Sequence, residues 1–189
     1  RTKGRRADSQ KIAESLSTAI AKGPGYKAVD AGDFEAAVAP ETGSRIFKAE
    51  YSVGAAVHAP IETRAAAADY RDGRLQLWLA TQAPQAAKTA AAQAIGINAD
   101  DVILYPVMAG GSFDRNFDNV IAAQIAFIAK EIGRPVQLTW SRPEDLARDH
   151  VRSPALGRLS AAIGTDGAVT GLSMKIATAS TMRELANRM

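Results

Sequence analysis

Two adjacent glycines, Gly110 and Gly111, lie where the sequence changes from an apolar strand pattern to a helical one. Because glycine has no Cβ atom, a ligand can approach this stretch of backbone closely. The first N–H groups of the following helix lack partners within that helix and carry partial positive charge. A strand, a glycine loop and a helix in this order can therefore bind an anion, although many glycine pairs only turn the chain.

The chain has two histidines, and neither has the spacing of a metal site. His58 and Glu62 stand four residues apart around a proline, which predicts a turn with two hydrogen-bonding side chains. This pair is either structural or close to a functional site. His150 lies in a polar stretch, and we expect it to be solvated. The complete absence of cysteine excludes iron–sulfur ligation, thiolate zinc sites and cysteine nucleophiles.

The elements around these residues predict an α+β fold. We expect a mixed β-sheet with hairpins and with crossover helices packed mainly on one face. The helix at 117–132 has almost no polar stripe, so we expect it to be buried on most sides. Alternation and turn residues predict strands at 44–53, 65–70, 75–79, 102–107, 136–140, 159–163 and 169–176, and helical patterns at 9–22, 33–38, 85–95, 117–132 and 142–148.

One soft boundary, at 23–33, divides the sequence into an N-terminal helical segment, 1–30, and a main domain, 31–189. Residues 181–189 have helical composition but no stop signal, and the chain starts at an arginine rather than at methionine. We expect the chain to be a fragment of a longer protein.

The chain has a formal net charge of +3, and much of the excess lies in residues 1–6. These basic residues form either a solvated terminus or an arm for nucleic acid. Because they lack interleaved aromatics and a known binding fold, we predict no nucleic-acid partner. No apolar run approaches the roughly 18 residues of a membrane span, so we predict no span. The compartment, cytoplasmic or periplasmic, stays open.

Five short motifs follow one another in the order and at the spacing of a known family. They resemble the molybdopterin-binding large subunit of the xanthine dehydrogenase and aldehyde oxidase family, and most of all its isoquinoline 1-oxidoreductase β-subunit branch. The resemblance covers about residues 30–175. The motifs are His58-Ala-Pro-Ile-Glu62-Thr, Leu77-Trp-Leu-Ala-Thr-Gln82-Ala-Pro-Gln85, Gly110-Gly-Ser-Phe-Asp-Arg115, Gly133-Arg-Pro-Val136 and Trp140-Ser-Arg-Pro-Glu-Asp145.

The resemblance implies a molybdenum hydroxylase that acts on a small-molecule substrate, an aldehyde or an N-heterocycle, with oxygen taken from water. It implies a molybdenum–pterin cofactor, in bacteria usually molybdopterin cytosine dinucleotide, and a partner subunit that carries [2Fe–2S] clusters. The family's general base is a glutamate in a later segment, for which this chain has no match. We therefore assign no catalytic residue and no metal ligand here, and expect the isolated chain to be inactive and cofactor-free.

The resemblance also carries residue roles onto this sequence. It places His58, Glu62 and Gln82 near the substrate site. It places a six-residue loop beside the cofactor, formed by Gly110, Gly111, Ser112, Phe113, Asp114 and Arg115.

The sequence departs from the family pattern at four positions. Ser112 and Asp114 replace glycines, Ala56 replaces a glutamine, and Thr63 replaces a proline. We expect the carboxylate of Asp114 to repel an anionic cofactor unless Arg115 compensates its charge. The alternative function is a non-catalytic binding or assembly domain that kept the fold and lost cofactor binding.

Overall fold

The structure is a computed structural model that describes residues 8–180. These residues form two compact units, 8–56 with 153–180 and 57–152, and each is described by itself. The basic residues at 1–6 and the helical composition at 181–189 lie outside the described residues. The division of the sequence at residue 30 stays a prediction.

The described residues form five helices and seven strands, along with short 3₁₀ turns. In chain order the helices and strands are α1 (Ser9–Lys22), α2 (Phe34–Ala37), β1 (Arg45–Val53), β2 (Ala65–Arg71), β3 (Arg74–Leu79), α3 (Pro84–Ile95), β4 (Val102–Pro106), α4 (Val120–Ile132), β5 (Val136–Thr139), α5 (Arg142–Ala147), β6 (Ala155–Ile163) and β7 (Val169–Thr178).

The first unit is built on an antiparallel three-stranded sheet with the order β1-β6-β7. Helix α1 packs on this sheet, and its Leu16 and Ile20 contact Leu156 and Ala177. The carboxylate of Asp8 caps α1 by accepting the backbone N–H groups of the first helical turn.

The second unit is built on a four-stranded sheet with the order β4-β3-β2-β5. Strands β3 and β4 run parallel and the other pairs are antiparallel, so the sheet is mixed. Alternate residues of β2 and β3 point into one core with α3 and α4, and Leu75, Leu77 and Leu79 are fully buried there. This arrangement confirms the predicted α+β class with helices on one face. The sequence did not indicate that β1, β6 and β7 form a separate sheet.

Helix α4 differs from its prediction in two respects. It begins at Val120 because a 3₁₀ turn at Arg115–Phe117 precedes it and the Asp118 carboxylate accepts the N–H of Val120 at 2.8 Å. The expected burial on most sides is wrong, because α3 and the sheet cover only one side of the helix. Phe127 and Ile132 therefore stay about half exposed while Ile121 and Ile125 are fully buried.

None of the helices in residues 8–180 combines the length and the hydropathy that crossing a membrane would require.

Candidate functional site

A cleft of about 180 Å³ opens beside the glycine loop that follows β4. One wall is the loop itself, with Gly110, Gly111 and Ser112. Residues of the preceding turn and of three strands of the second unit also line the cleft, namely Glu62, Thr63, Arg64, Ala65, Ala67, Trp78 and Gln137. Trp78 is supported by Tyr105, whose ring stacks on it with 5.1 Å between centroids.

The loop offers a row of free backbone donors. Within residues 8–180, the N–H groups of Gly111, Ser112, Phe113 and Asp114 have no hydrogen-bond partner. Gly111, Phe113 and Asp114 have φ angles of 74°, 47° and 71°, in the left-handed region. Successive N–H groups in a backbone of mixed handedness form a nest, a concavity that binds anions.

Gly110 joins this loop to the turn that contains His58 and Glu62. The N–H of Glu62 donates to the carbonyl of Gly110 at 3.0 Å, and the N–H of Gly110 donates to Glu62 Oε2 at 2.8 Å. A Cβ atom on Gly110 would lie 2.6 Å from the Cβ of Glu62. Only glycine therefore fits at residue 110 without moving the turn.

Gln82 contacts the far end of the loop. Its Nε2 donates to Asp114 Oδ1 at 3.2 Å, and its backbone N–H donates to the carbonyl of Asn116 at 3.0 Å. The structure thus brings Gln82, Glu62 and the loop together.

Arg115 points away from the cleft and into the protein. Its side chain is 1% exposed, donates to Asp118 Oδ2 at 2.9 Å, and lies with Nε 3.2 Å from Asp149 Oδ1. It also lies over the ring of Trp140, at 5.7 Å from the centroid. Arg115 therefore does not compensate Asp114, because three buried carboxylates, Asp118, Asp145 and Asp149, attract its guanidinium inward. A side-chain contact with a ligand in the cleft would break these pairs.

His58 is held by a buried carboxylate. Asp149 accepts the backbone N–H of His58 at 2.6 Å, and its other oxygen lies 2.8 Å from Nδ1. Burial alone would raise the pKa of Asp149, but the two hydrogen bonds from His58 and the charge of Arg115 outweigh it and hold that pKa below its usual value. This geometry favours the structural alternative for His58. The side chain of His150 is 48% exposed, as expected from the sequence.

Two further arginines support the site, and the sequence analysis assigned a role to neither. Arg64 is buried and donates to the carbonyls of Arg115 and Asp118 and to Asn116 Oδ1. Burial and the nearby Arg115 lower the pKa of Arg64 to about 10, so it keeps its charge at neutral pH.

The second of these, Arg142, holds the turn. It donates to the carbonyls of Pro60 and Ile61 at 2.6 Å and 2.8 Å. The backbone and side-chain partners of Arg64 lie 51 to 54 positions away along the chain, and the two carbonyls that Arg142 holds lie 81 and 82 positions away. Arg142 also donates to Asp145 Oδ2, three positions away, at 3.3 Å.

No group of three or more His, Asp or Glu side chains within residues 8–180 is placed to hold a metal ion.

The fold and the cleft define a class: an α+β domain that presents a loop of free amides beside its sheet. The sequence model of the molybdopterin cofactor-binding domain matches residues 17–184, and the chain belongs to this family.

Known relatives agree with this assignment. The chain is 32% identical over 106 residues to the isoquinoline 1-oxidoreductase subunit beta of Brevundimonas diminuta. The aligned residues make up 56% of this chain and 14% of that protein. It is 27% identical over 135 residues to aldehyde oxidase 1 of Bos taurus, with 69% of this chain and 10% of that protein covered. The chain thus spans about a seventh or less of these relatives.

Among solved structures, quinoline 2-oxidoreductase from Pseudomonas putida 86 matches with a TM-score of 0.59 at 24% identity, over 74% of this chain and 18% of that one. Aldehyde oxidoreductase from Desulfovibrio gigas matches with a TM-score of 0.58 at 24% identity, over 70% and 15%. These likenesses show a shared fold.

The residues at the cleft fit a molybdenum–pterin group in their hydrogen bonding. Such a group is anionic, and the four N–H groups at 111–114 are donors that no acceptor among residues 8–180 occupies. The cleft wall also includes Arg64, which is positively charged. The carboxylates of Glu62 and Asp114 oppose an anion, but each already accepts a hydrogen bond from the protein.

Proposed function

We propose that this chain is part of a longer molybdenum hydroxylase subunit, and that residues 110–114 bind the anionic end of its molybdenum–pterin cofactor. The observation that supports this most directly is the row of four free amides at residues 111–114, of which Gly111 and Ser112 line the cleft. Family membership supports the identity of the anion.

The finer parts of the proposal rest on the relatives. We propose the cytosine dinucleotide form of the cofactor and a partner subunit that carries [2Fe–2S] clusters. We propose aldehydes or N-heterocycles as substrates, because the relatives include an aldehyde oxidase and an isoquinoline oxidoreductase. When bound, the cofactor would supply the redox centre at which the substrate gains oxygen derived from water.

The residues of this chain would bind and orient the cofactor. The amides of residues 111–114 would donate to it, and the paired hydrogen bonds between Gly110 and Glu62 would fix where those amides lie. Gln82 would hold Asp114 away from the ligand. His58 would have an indirect, positioning role: it contacts Asp149, and Asp149 lies beside Arg115 at the end of the loop. None of these residues serves as a general base in the proposal.

Replacing Ser112 tests the amide row. Ser112→Pro removes one N–H without demanding a positive φ, and Ser112→Ala keeps the N–H and removes only the hydroxyl. A hydrogen bond to a charged group contributes about 1.5–3 kcal/mol, so the proline variant of the longer subunit should hold its cofactor roughly tenfold or more weakly. Molybdenum per subunit by mass spectrometry and pterin by fluorescence, both after dilution, measure this.

The alanine variant is the matched control and should keep its molybdenum. Equal molybdenum retention in the proline variant and the wild type would show that the amide of Ser112 does not bind the cofactor. The proposal would then be wrong at its central contact.

One observation favours the second candidate function, a non-catalytic binding or assembly domain. Asp114 adds a carboxylate to the loop. The neighbouring Arg115, which could pair with it, points into the protein instead. If cofactor binding has been lost for this reason, Ser112→Gly with Asp114→Gly should restore molybdenum to a longer subunit that lacks it. If it restores none, the two substitutions are not the cause of the loss.

A further inference from the structure

The three-stranded sheet of the first unit has two faces of different composition. The central strand β6 sets three rows of neighbours across the sheet. The rows are Phe47, Ala161 and Leu172; Ala49, Leu159 and Met174; and Tyr51, Gly157 and Ile176. Because side chains alternate along a strand, these nine residues share one face. We call it the odd face after the odd-numbered residues of β1 and β6, although the residues that β7 contributes to it have even numbers. Its central part contains no charged residue.

The opposite, even face is the one that the helices cover. It carries Leu156 and Ala177, which contact α1, and Gly171, where an added Cβ would lie 2.8 Å from the Cβ of Ala37 in α2. It also carries charged residues, including Lys48, Glu50, Arg158 and Lys175. The more polar face of this sheet is therefore the helix-covered one.

The odd face is open over most of its area. Phe47 is 51% exposed, Tyr51 64% and Ile176 64%, and Leu172 and Met174 are exposed to a similar degree. A contiguous apolar patch of this kind is uncommon on a soluble monomer and marks a surface that binds another apolar surface. A flat sheet face also lacks the concavity expected of a small-molecule site.

We propose that the odd face docks a further stretch of the same polypeptide, one with an uncharged, aliphatic surface. This rests on the proposed function, in which the chain is part of a longer subunit. The relatives leave ample chain for it, since this sequence covers 14% of the isoquinoline oxidoreductase subunit and 18% of the quinoline oxidoreductase chain.

Covalent linkage favours this occupant over a second copy of the chain. A linked segment is present at an effective concentration in the millimolar range. A second copy must first overcome the loss of translational and rotational freedom, which costs roughly 4–15 kcal/mol. The absence of charge on the odd face also gives a separate partner little electrostatic means of fixing its orientation.

Single cysteines test the proposal, because the chain has none of its own. Ile176→Cys places a thiol on the odd face, and Lys175→Cys places one on the even face, at the adjacent exposed residue of β7. Each variant is made in the 189-residue chain and in the longer subunit. The rate of maleimide modification is then measured by peptide mass spectrometry.

In the short chain both cysteines should react quickly. In the longer subunit Ile176→Cys should react at least about tenfold more slowly, because its modification then requires local opening of an interface, whereas Lys175→Cys should be unchanged. Met174→Cys repeats the test at a second exposed residue of the odd face if Ile176→Cys does not fold.

Two results would overturn the proposal. One is rapid modification of the odd-face cysteines in the longer subunit. The other is slow, concentration-dependent modification already in the short chain, which would assign the face to a second copy. Molybdenum content measured on the same samples separates the two proposals. Protected cysteines without molybdenum support the docking face and contradict the proposed function, and reactive cysteines with molybdenum do the reverse.

Discussion

The two sheets of this protein differ in whether helices cover their apolar faces. In the four-stranded sheet, Leu75, Leu77 and Leu79 point at α3 and α4 and are completely buried. In the three-stranded sheet, the apolar residues of β1 and β7 face outward, and α1 and α2 lie on the more polar side. Alternation in a sequence shows which residues share a face, but it does not show whether this chain contains the element that covers that face.

The largest effect on the free energy of unfolding should come from truncating a side chain on the covered face. Leu77→Ala leaves a cavity under α3 and α4 and should lower the free energy of unfolding by about 4 kcal/mol. Ile176→Ala on the odd face should cost less than about 1 kcal/mol in the isolated chain, since little burial is lost. Urea denaturation measures both, and similar losses would remove the contrast between the two sheets.

The second largest effect concerns the buried charges beneath the glycine loop. Asp149→Asn removes the charge that faces Arg115 and His58, and it should lower the free energy of unfolding by roughly 3 kcal/mol at neutral pH. Asp72→Asn in the exposed β2–β3 turn is the control and should change it by less than about 0.5 kcal/mol. If the two variants are equally stable, the ion pairs of Asp149 contribute nothing to folding.

The same residue gives a pH dependence. Because the folded-state pKa of Asp149 lies below its usual value, its stabilisation is present above that value and is lost as the pH falls through the folded-state pKa. The stability difference between the wild type and Asp149→Asn should therefore shrink on acidification.

Asp145 should behave in the opposite sense. Burial raises its pKa, so the folded protein binds the proton more readily than the unfolded chain does. Relative to Asp145→Asn, the wild type should gain stability as the pH falls into the range between the unfolded-state and folded-state pKa. Chemical denaturation at a series of pH values measures both differences, and trends of the same sign would contradict these assignments.

The smallest effect on stability concerns the loop itself. Asp114 and Asp72 both have positive φ, 71° and 50°, so replacing either with glycine relieves a similar strain. Each variant should change the free energy of unfolding by no more than about 1 kcal/mol. Only Asp114→Gly removes a carboxylate beside the cleft, so only this variant should raise the molybdenum content of the longer subunit. A rise with Asp72→Gly as well would point to stability rather than to charge.

Local patterns predicted most of the fold. Helix α1, the β2–β3 pair and the strand that leads into Gly110 need only neighbouring residues, and each was located from the sequence. The start of α4 was misplaced because Asp118 and the preceding 3₁₀ turn override its helical composition.

The candidate site was predicted only in part. A family resemblance placed the glycine loop beside a cofactor and Glu62 and Gln82 near a substrate, and these roles stay predictions. The structure shows that both side chains contact the loop. The inward turn of Arg115 could not be predicted, because its partner Asp149 becomes a neighbour only after the chain folds. The residues that neighbour Arg115 in the sequence do not indicate a partner so far along the chain.

The left-handed residues of the glycine loop have one more consequence. A surface made from peptide groups rather than side chains presents nearly the same donors whichever residues occupy it, provided that the backbone angles survive. Mutations can then accumulate at Ser112 and Phe113 with little effect on what the loop can recognise. Recognition through the main chain would let distant homologues diverge over most of their sequence and still bind a common ligand.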